Sequence, residues 1–470
     1  MGPTAAPCFR LFASAVALLV AVPAHAQILS LDEALRQAAG ASGAVQGAVL
    51  DVRARTLKAE ALSNIDGPSL DLTAFRGRLS TDLSLDTSRL SGVVGGIGAA
   101  LPNLPIPEIP NSLEREVVTN LTSFGLVGMW PIYTAGRLDA VKGVAAGMAR
   151  EADAERVEAE EKLATQVAQR YFQLLLAQRV VAVRADVTAG VAQHQRDAVK
   201  LEKGGLISKA ERLRADVAFD SARSEEAQAR SDAEIAQVAL DRLLDARSQV
   251  RPATPLFVHS LPVGSLQSFI SSGLRENAAW KKIASKRLLS EQALRLHGKE
   301  YSPTVLAIGN YNLNRGGERV VRSNWAVGVM VSVPLVHRIN TGKLIEAAKL
   351  DQERVEVTAR QAGRDIPTLI EKHWRALENA RIQFLSTGSS VELARENIRL
   401  QTVAFQQGQA TSLEVVDARL NLAKIETQRA QTAYNYVLAL AQLLEAAGAT
   451  QRLASLAAQA DLHLPLDTPQ

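Results

Sequence analysis

The sequence predicts an exported membrane protein of mixed α and β structure, in which a pair of amphipathic strands followed by a very long helical hairpin occurs twice. Three observations predict it. The first residues read as a secretory signal. Proline is absent between Pro131 and Pro252, and only Pro367 interrupts the stretch from Pro334 to Pro465. The two stretches match at an offset of 203 to 204 residues, at Pro131/Pro334, Tyr171/Trp374 and Gly204/Gly408.

Bulk composition narrows the class further. The chain has 470 residues, with 53 Lys+Arg against 49 Asp+Glu. A net charge of +4 is too near balance for a dedicated nucleic-acid binder, which shows a basic excess or stripe. With 47 % apolar and 22 % charged residues the chain is not disordered by composition. Its one cysteine, Cys8, excludes a disulfide scaffold or a cysteine-based zinc site. Arg10 precedes an uncharged, mostly apolar run over residues 11–22, and Ala24-His25-Ala26 supplies a small-x-small cleavage pattern. Residues 1–26 are therefore expected to be a signal peptide and the mature chain to start at Gln27. The apolar run is too short to span a bilayer as a helix, and no later run reaches about 18 apolar residues.

The helices follow from the proline-free stretches, which are rich in Ala, Glu, Gln, Arg and Leu. A helix over residues 137–203 would be roughly 100 Å long. No globular domain needs that length, and such a helix requires partners along its side. Gly204-Gly205 and Gly408 end these helices and reverse each into a shorter one, an αα-hairpin with glycine at the C-terminal cap. In the second repeat Ile370, Leu377, Phe384, Val391, Ile398 and Phe405 recur every seven residues. Past the turn, Leu413, Val416, Leu420, Ala423, Thr427, Ala430, Tyr434, Val437, Ala441 and Leu444 alternate by three and four. That is a coiled-coil seam, broken only by Thr427. The first hairpin shows it less cleanly, with Val167, Leu174 and Val181 before Thr188. Pro367 predicts a bend in the second long helix alone.

The strands precede the long helices. Trp325, Val327, Val329, Val331 and Val333 alternate with Asn324, Ala326, Gly328, Met330 and Ser332. Before Arg315-Gly316-Gly317-Glu318, residues 301–314 alternate as well, with Tyr301, Val305, Ala307, Tyr311 and Leu313 on one side. Period two over about ten residues is strand patterning. An apolar face backed by a small or polar one suits a transmembrane barrel strand, and it equally suits a soluble hairpin with one buried face. A fuzzier pair lies near residues 69–79 and 121–130. Between its members, residues 80–120 carry Gly92, Gly95, Gly96 and Gly98 and then Pro102, Pro105, Pro107 and Pro110. No Lys-Ser/Thr follows the glycines, so they are not a phosphate cradle, and the segment reads as a large, partly extended loop.

Catalytic chemistry is not expected. His194, His259, His297, His337, His373 and His463 are scattered singly, and no His-Glu-x-x-His, Gly-x-Ser-x-Gly or Walker A motif occurs. Acid pairs such as Glu160-Glu161 have the look of a solvated helix face. Function must then come from shape. Four strands cannot close a barrel, and open edges are not tolerated in lipid. Small closed barrels begin near eight strands, so several copies are expected to share one barrel.

On these features the chain resembles the TolC-like outer-membrane efflux protein family. The carriers are Ser30-Leu31-Asp32-Glu33-Ala34-Leu35, the two proline-to-glycine helix entries, and the turns at Gly204-Gly205-Leu206 and Gly408-Gln409-Ala410-Thr411-Ser412-Leu413-Glu414-Val415-Val416-Asp417-Ala418-Arg419. The resemblance implies a homotrimer with a shared transmembrane β-barrel, four strands per chain, continued by a long α-helical coiled-coil barrel. It implies an exit duct in the outer membrane, in contact with its lipid, with the helical part in the periplasm. The duct would work with a periplasmic adaptor protein and an inner-membrane transporter to export small molecules such as drugs, or proteins by type I secretion. No cofactor, metal or nucleic acid enters.

The implied segmentation is a signal peptide at 1–26, N-terminal helices at 27–66, and a first strand pair with a long extracellular loop at 67–132. The first long hairpin follows at 133–248, equatorial segment and helices at 249–298, and the second strand pair at 299–336. The second long hairpin is placed at 337–448 and a C-terminal tail at 449–470.

Two sites are carried over by position. The hairpin tips Gly204, Gly205, Leu206, Ile207 and Ser208, and Gly408, Gln409, Ala410, Thr411 and Ser412, match the adaptor contacts. Glu414 and Asp417 match acidic residues that line a closed periplasmic entrance, where three copies would concentrate negative charge. These two residues would equally serve as acids in the first turn of a helix, which the macrodipole favours. Ala410 stands where some members have a basic residue that ties the entrance shut. The rival classes are a periplasmic adaptor, which would need one hairpin between two lipoyl-like halves, and an exported enzyme with a helical stalk, for which no site is found.

Overall fold

A computed structural model describes residues 27–100, 105, 107, 109–313, 324–336 and 338–465. Residues 1–26, expected to be a signal peptide, the Arg315–Glu318 connection and His337 lie outside the described residues. In chain order the elements are β1 (Gln27–Leu29), α1 (Leu31–Ala41), α2 (Gly43–Ala61), β2 (Ser69–Asp86), α3 (Ser88–Ala100), β3 (Ser112–Tyr133), α4 (Arg137–Lys203) and α5 (Lys209–Leu243). Then come β4 (Val250–Pro252), β5 (Leu256–Val258), α6 (Leu266–Glu276), α7 (Ala278–Gly298), β6 (Thr304–Asn312), β7 (Trp325–Ser332), α8 (Thr341–Gln406), α9 (Ser412–Ala446), a 3-10 turn (Thr450–Arg452), α10 (Leu453–Gln459) and β8 (Leu462–Leu464). The chain divides into two compact units, one built from residues 53–151 and 284–357, the other from the remainder.

The first of these units holds a four-stranded antiparallel sheet in the order β2-β3-β6-β7. Its register decides which side chains share a face, because directly opposed residues point the same way. Trp325, Val327, Val329 and Val331 of β7 oppose Tyr311, Gly309, Ala307 and Val305 of β6. Those in turn oppose Leu126, Gly128, Trp130 and Tyr133 of β3, and Leu126 and Gly128 oppose Leu72 and Leu70 of β2. One face is thus apolar from edge to edge. It is not covered within the chain: Val327, Leu70 and Trp325 are 75 %, 70 % and 64 % exposed. The register slips between Pro131 and Tyr133, where proline has no N–H to give the ladder.

The opposite face departs from the expected small and polar pattern. It is polar at one end, with Asp71, Thr73, Asn310 and Asn312. At the other it carries Met129, Ile308, Leu306 and Met330. That end borders a cavity of about 410 Å³ shared with Leu138 and Val141 of α4 and Leu296 of α7. Met129 and Leu306 line it, whereas Ile308 and Met330, both exposed, do not, a difference that alternation along one strand does not reveal.

Residues 80–120 also differ from the expected loop. β2 and β3 stay paired as far as Asp86 and Ser112, and the glycine run forms α3. Leu90, Val93, Val94 and Ile97 have the i, i+3, i+4, i+7 spacing of a helix face, a signal that the density of glycine and proline obscures.

The second unit contains most of the two helical hairpins and the short strands around them. Ile370, Leu377, Phe384, Val391 and Phe405 are all buried, so the heptad stripe of α8 is its packing face. Pro367 lies inside α8 without ending it, and the Thr368 hydroxyl donates to the carbonyl of Arg364 at 2.8 Å. In α9 the seam holds from Ala423 to Leu444, whereas Leu413 and Leu420 are exposed and Val415 and Ala418 are buried in their place. In α4 the stripe moves from Val167 and Leu174 to Val183, Val187 and Val191, away from Val181. Both shifts reflect the drift of an α-helix against a strict seven-residue repeat.

Aromatic residues at equivalent places in the two repeats pin the short strands. Tyr171 is fully buried. Its hydroxyl donates to the Leu29 carbonyl and accepts from the Thr254 N–H, each at 2.8 Å. Trp374 Nε1 donates to the Gly264 carbonyl at 3.1 Å. β1 pairs in parallel with β4 and β5 antiparallel with β8, so residues 27–29 and 462–464 both close on the segment around residues 250–260.

Candidate functional site

The two tips have the same construction. At the end of α4, Gly205 takes φ +72°, with Leu206 N–H bonded to Leu201 O and Gly205 N–H to Glu202 O. At the end of α8, Gly408 takes φ +70°, with Gln409 N–H bonded to Ala404 O and Gly408 N–H to Phe405 O. Each is a Schellman cap, which places glycine in the left-handed region. The equivalent of Gly408 is therefore Gly205, not Gly204, and the offset of 203 holds throughout. Ser208 and Thr411 then cap the next helix, accepting from the N–H of Glu211 and Glu414. Two residues separate each Schellman cap from the next N-cap, which makes the reversal tight.

Of the tip residues, Gly204, Gly205, Leu206, Ser208, Gly408, Gln409 and Thr411 are exposed, with Ile207 and Ala410 half-buried. Ser412 is the exception at 1 % exposure. Its Oγ shares a 2.5 Å hydrogen bond with His194 Nε2, whose ring lies 4.5 Å from that of Phe405. Burial, and then the Arg419 guanidinium, push His194 below its ordinary range, against Asp197 and Glu211. Ser412 is therefore committed to the first hairpin and is not available at the surface.

Glu414 and Asp417 occupy different environments. Glu414 completes a capping box: its Oε2 accepts from the Thr411 N–H at 2.6 Å and from the Thr411 hydroxyl at 3.2 Å. The helix-terminus reading of Glu414 thus has direct geometry behind it. Asp417 is exposed, one turn further on the same helix. Two residues beyond, Arg419 lies across Gly190 of α4, so close that a Cβ there would overlap it. Its buried Nε has no hydrogen-bond partner among the described residues.

Sequence reasoning missed the Thr411–Glu414 capping box and the His194–Ser412 hydrogen bond. Thr411-x-x-Glu414 was legible as a motif, whereas Ser208 caps α5 through the Glu211 N–H alone. His194 and Ser412 lie 218 positions apart, and no local pattern joins them. Among the described residues no group of three or more His, Cys, Asp or Glu could hold a metal ion, and no helix is long and apolar enough to cross a membrane.

Residues 34–246 match the family model described as outer membrane efflux protein. Over that stretch the chain is similar to the outer membrane efflux protein family. It is 24 % identical over 314 residues to the outer membrane protein TolC of Vibrio cholerae, covering 64 % of this chain and 70 % of that one. Its fold is that of solved outer-membrane channels. The Campylobacter jejuni CmeC channel superimposes with a TM-score of 0.70 at 15 % identity, over 89 % of this chain and 85 % of the other. The open-state MtrE channel of Neisseria gonorrhoeae gives 0.69 at 18 % identity, over 89 % of both chains. Both the matched family and the TolC relative are outer-membrane proteins. In this chain the uncovered apolar sheet face is the feature that has to be explained.

Proposed function

We propose that this chain forms a trimeric exit duct of the outer membrane. Three copies each lend their four strands to one twelve-stranded barrel, and the paired long helices of each copy line a periplasmic passage. The observation that carries this is the sheet itself: an uncovered apolar face with two unpaired edges, β2 and β7. Lipid tolerates the face but not the edges, and a neighbouring copy supplies the missing pairing. The helices support the same reading, since Leu213, Val217, Leu413 and Leu420 remain 41–66 % exposed in the single chain. Two tandem hairpins after two strand pairs also leave no place for the lipoyl-like halves of an adaptor. In detergent, native mass measurement is expected to give a trimer; a folded monomer would sink the proposal.

The segments follow the boundaries given above, with residues 249–298 and 449–470 forming the equatorial part. The exposed tip residues dock a periplasmic adaptor, which couples the duct to an inner-membrane pump, with drugs or secreted proteins as cargo. Glu414 and Asp417 put six carboxylates at the periplasmic mouth, with Asp417 the freer of each pair. The test is Glu414→Gln with Asp417→Asn. Glutamine at Glu414 keeps the capping-box hydrogen bond, so the helix start survives and only charge is lost. In bilayer recordings cation selectivity should fall and block by multivalent cations should weaken. Unchanged selectivity and block would leave these carboxylates a purely helix-terminal role.

A further inference from the structure

We propose that the cavity walled by α1, α4 and the chain just beyond α9 is a binding site for a small amphiphilic organic cation, with Glu161 holding its ammonium end. The cavity measures about 460 Å³, within the range of about 300–1,000 Å³ of small-molecule sites. It lies wholly within one of the two compact units, so it requires no second copy, and it goes beyond the exit-duct reading without depending on it.

Glu161 carries the inference. It lines the cavity and is only 7 % exposed, yet no hydrogen bond or ion pair reaches its carboxylate from the described residues. A carboxylate buried in that way carries a cost unless something pairs with it. The other charged groups facing the cavity are already matched. Asp32 of α1 pairs with Arg36 at 3.0 Å and Glu160 of α4 with Arg156 at 2.5 Å. Glu276, at the end of α6, pairs with Lys281 of α7 at 3.2 Å. Lys281 lines the same cavity and acts on Glu161 through charge, but its ion pair is with Glu276, so an entering cation finds in Glu161 a carboxylate with no ion pair of its own among the described residues. Leu35, Val157, Leu163 and Ala454 supply an apolar wall, which favours a hydrocarbon body on the ammonium over a bare inorganic ion.

The geometry has a consequence for pH. Burial pushes the Glu161 carboxyl up to about 7, opposed by Lys281 and reinforced by Glu445, Glu158 and Glu160. An ammonium group binds the ionised form. Affinity should therefore be full above pH 8, halved near pH 7 and reduced about tenfold at pH 6, where a proton holds the site.

The test uses the full chain in detergent with benzylamine as the probe and benzyl alcohol as its uncharged counterpart, by isothermal titration. Saturable binding of one benzylamine per chain is expected, with no binding of benzyl alcohol and an affinity about tenfold lower at pH 6 than at pH 8. In Glu161→Gln the affinity should drop at least about tenfold and lose its pH dependence. The wild-type pH profile stands as a second measurement should that variant fail to fold. Absence of saturable benzylamine binding, equal binding of benzyl alcohol, a flat wild-type profile, or an unaffected Glu161→Gln variant would each overturn the proposal.

Discussion

Replacing Gly448 by alanine should destabilise the helical part of the protein by about 2–6 kcal/mol, among the largest losses from any single added methyl. Two costs combine. Gly448 ends α9 in the left-handed region at φ +68°, with Gly448 N–H bonded to Glu445 O and Ala449 N–H to Leu444 O. A side chain there stores roughly 1–3 kcal/mol of backbone strain. A Cβ would also lie 2.7 Å from the carbonyl carbon and oxygen of Glu276, and backbone cannot swing aside as a side-chain tip can. Forcing α6 away adds about 1–3 kcal/mol. It would also disturb the Asn277 side-chain bond to Ala446 O at 2.9 Å and the Ser272 hydroxyl bond to Ala447 O at 3.1 Å.

Gly408 supplies the control. Its φ is +70°, but a Cβ there meets nothing within 4 Å, so Gly408→Ala should cost the strain alone. Thermal unfolding followed by the helical circular dichroism signal should show the larger drop for Gly448→Ala. Equal drops would mean that α6 yields freely and the close approach is unimportant. The first repeat makes the same point. Asp245, 203 residues earlier, takes φ +48° in the same kind of cap. A short polar side chain tolerates that conformation where space is open.

How much of this was readable beforehand depended on whether the deciding physics was local. The bounds of α4 and the two reversals were legible because proline exclusion and glycine caps act within a few residues. The α8 stripe from Ile370 to Phe405 was legible because one face stays buried for its whole length. The seam was misplaced near the tip of α9. There Leu413 and Leu420 look like core positions by spacing, but the hairpin's own contact uses Val415 and Ala418. Spacing reports that a residue is apolar and in phase, and not which neighbour covers it. The same limit hid the His194–Ser412 bond, the Tyr171 clamp on β1, and the burial of Glu161, which had looked like half of a solvated acid pair. In α3 the failure was of another kind. Glycines that normally punctuate a chain were read as breaks, although the apolar residues between them kept helical phase.

The second large effect is expected in the sheet, where charge should be rejected on one face and accepted on the other. Val329 stands mid-strand in β7 opposite Ala307, on the apolar face shared with Val327, Val331 and Trp325, and is 66 % exposed. In the proposed barrel that exposure is to lipid. An arginine at mid-strand should then cost about 2–4 kcal/mol, counted once for each of three copies in the assembled barrel. Met330, the next residue, points the other way and opposes Leu306. Alternation along a strand puts it toward the interior, where a long cation can reach water. Met330→Arg should therefore assemble and insert, with altered conductance, while Val329→Arg should fall out of the outer-membrane fraction or lose its heat-resistant oligomer. The pair differs by one position and shares its chemistry, so a general intolerance of arginine in β7 cannot mimic the result. If both variants insert alike, the apolar face does not meet lipid and the barrel reading fails. If Met330→Arg alone is lost, the faces have been assigned the wrong way round.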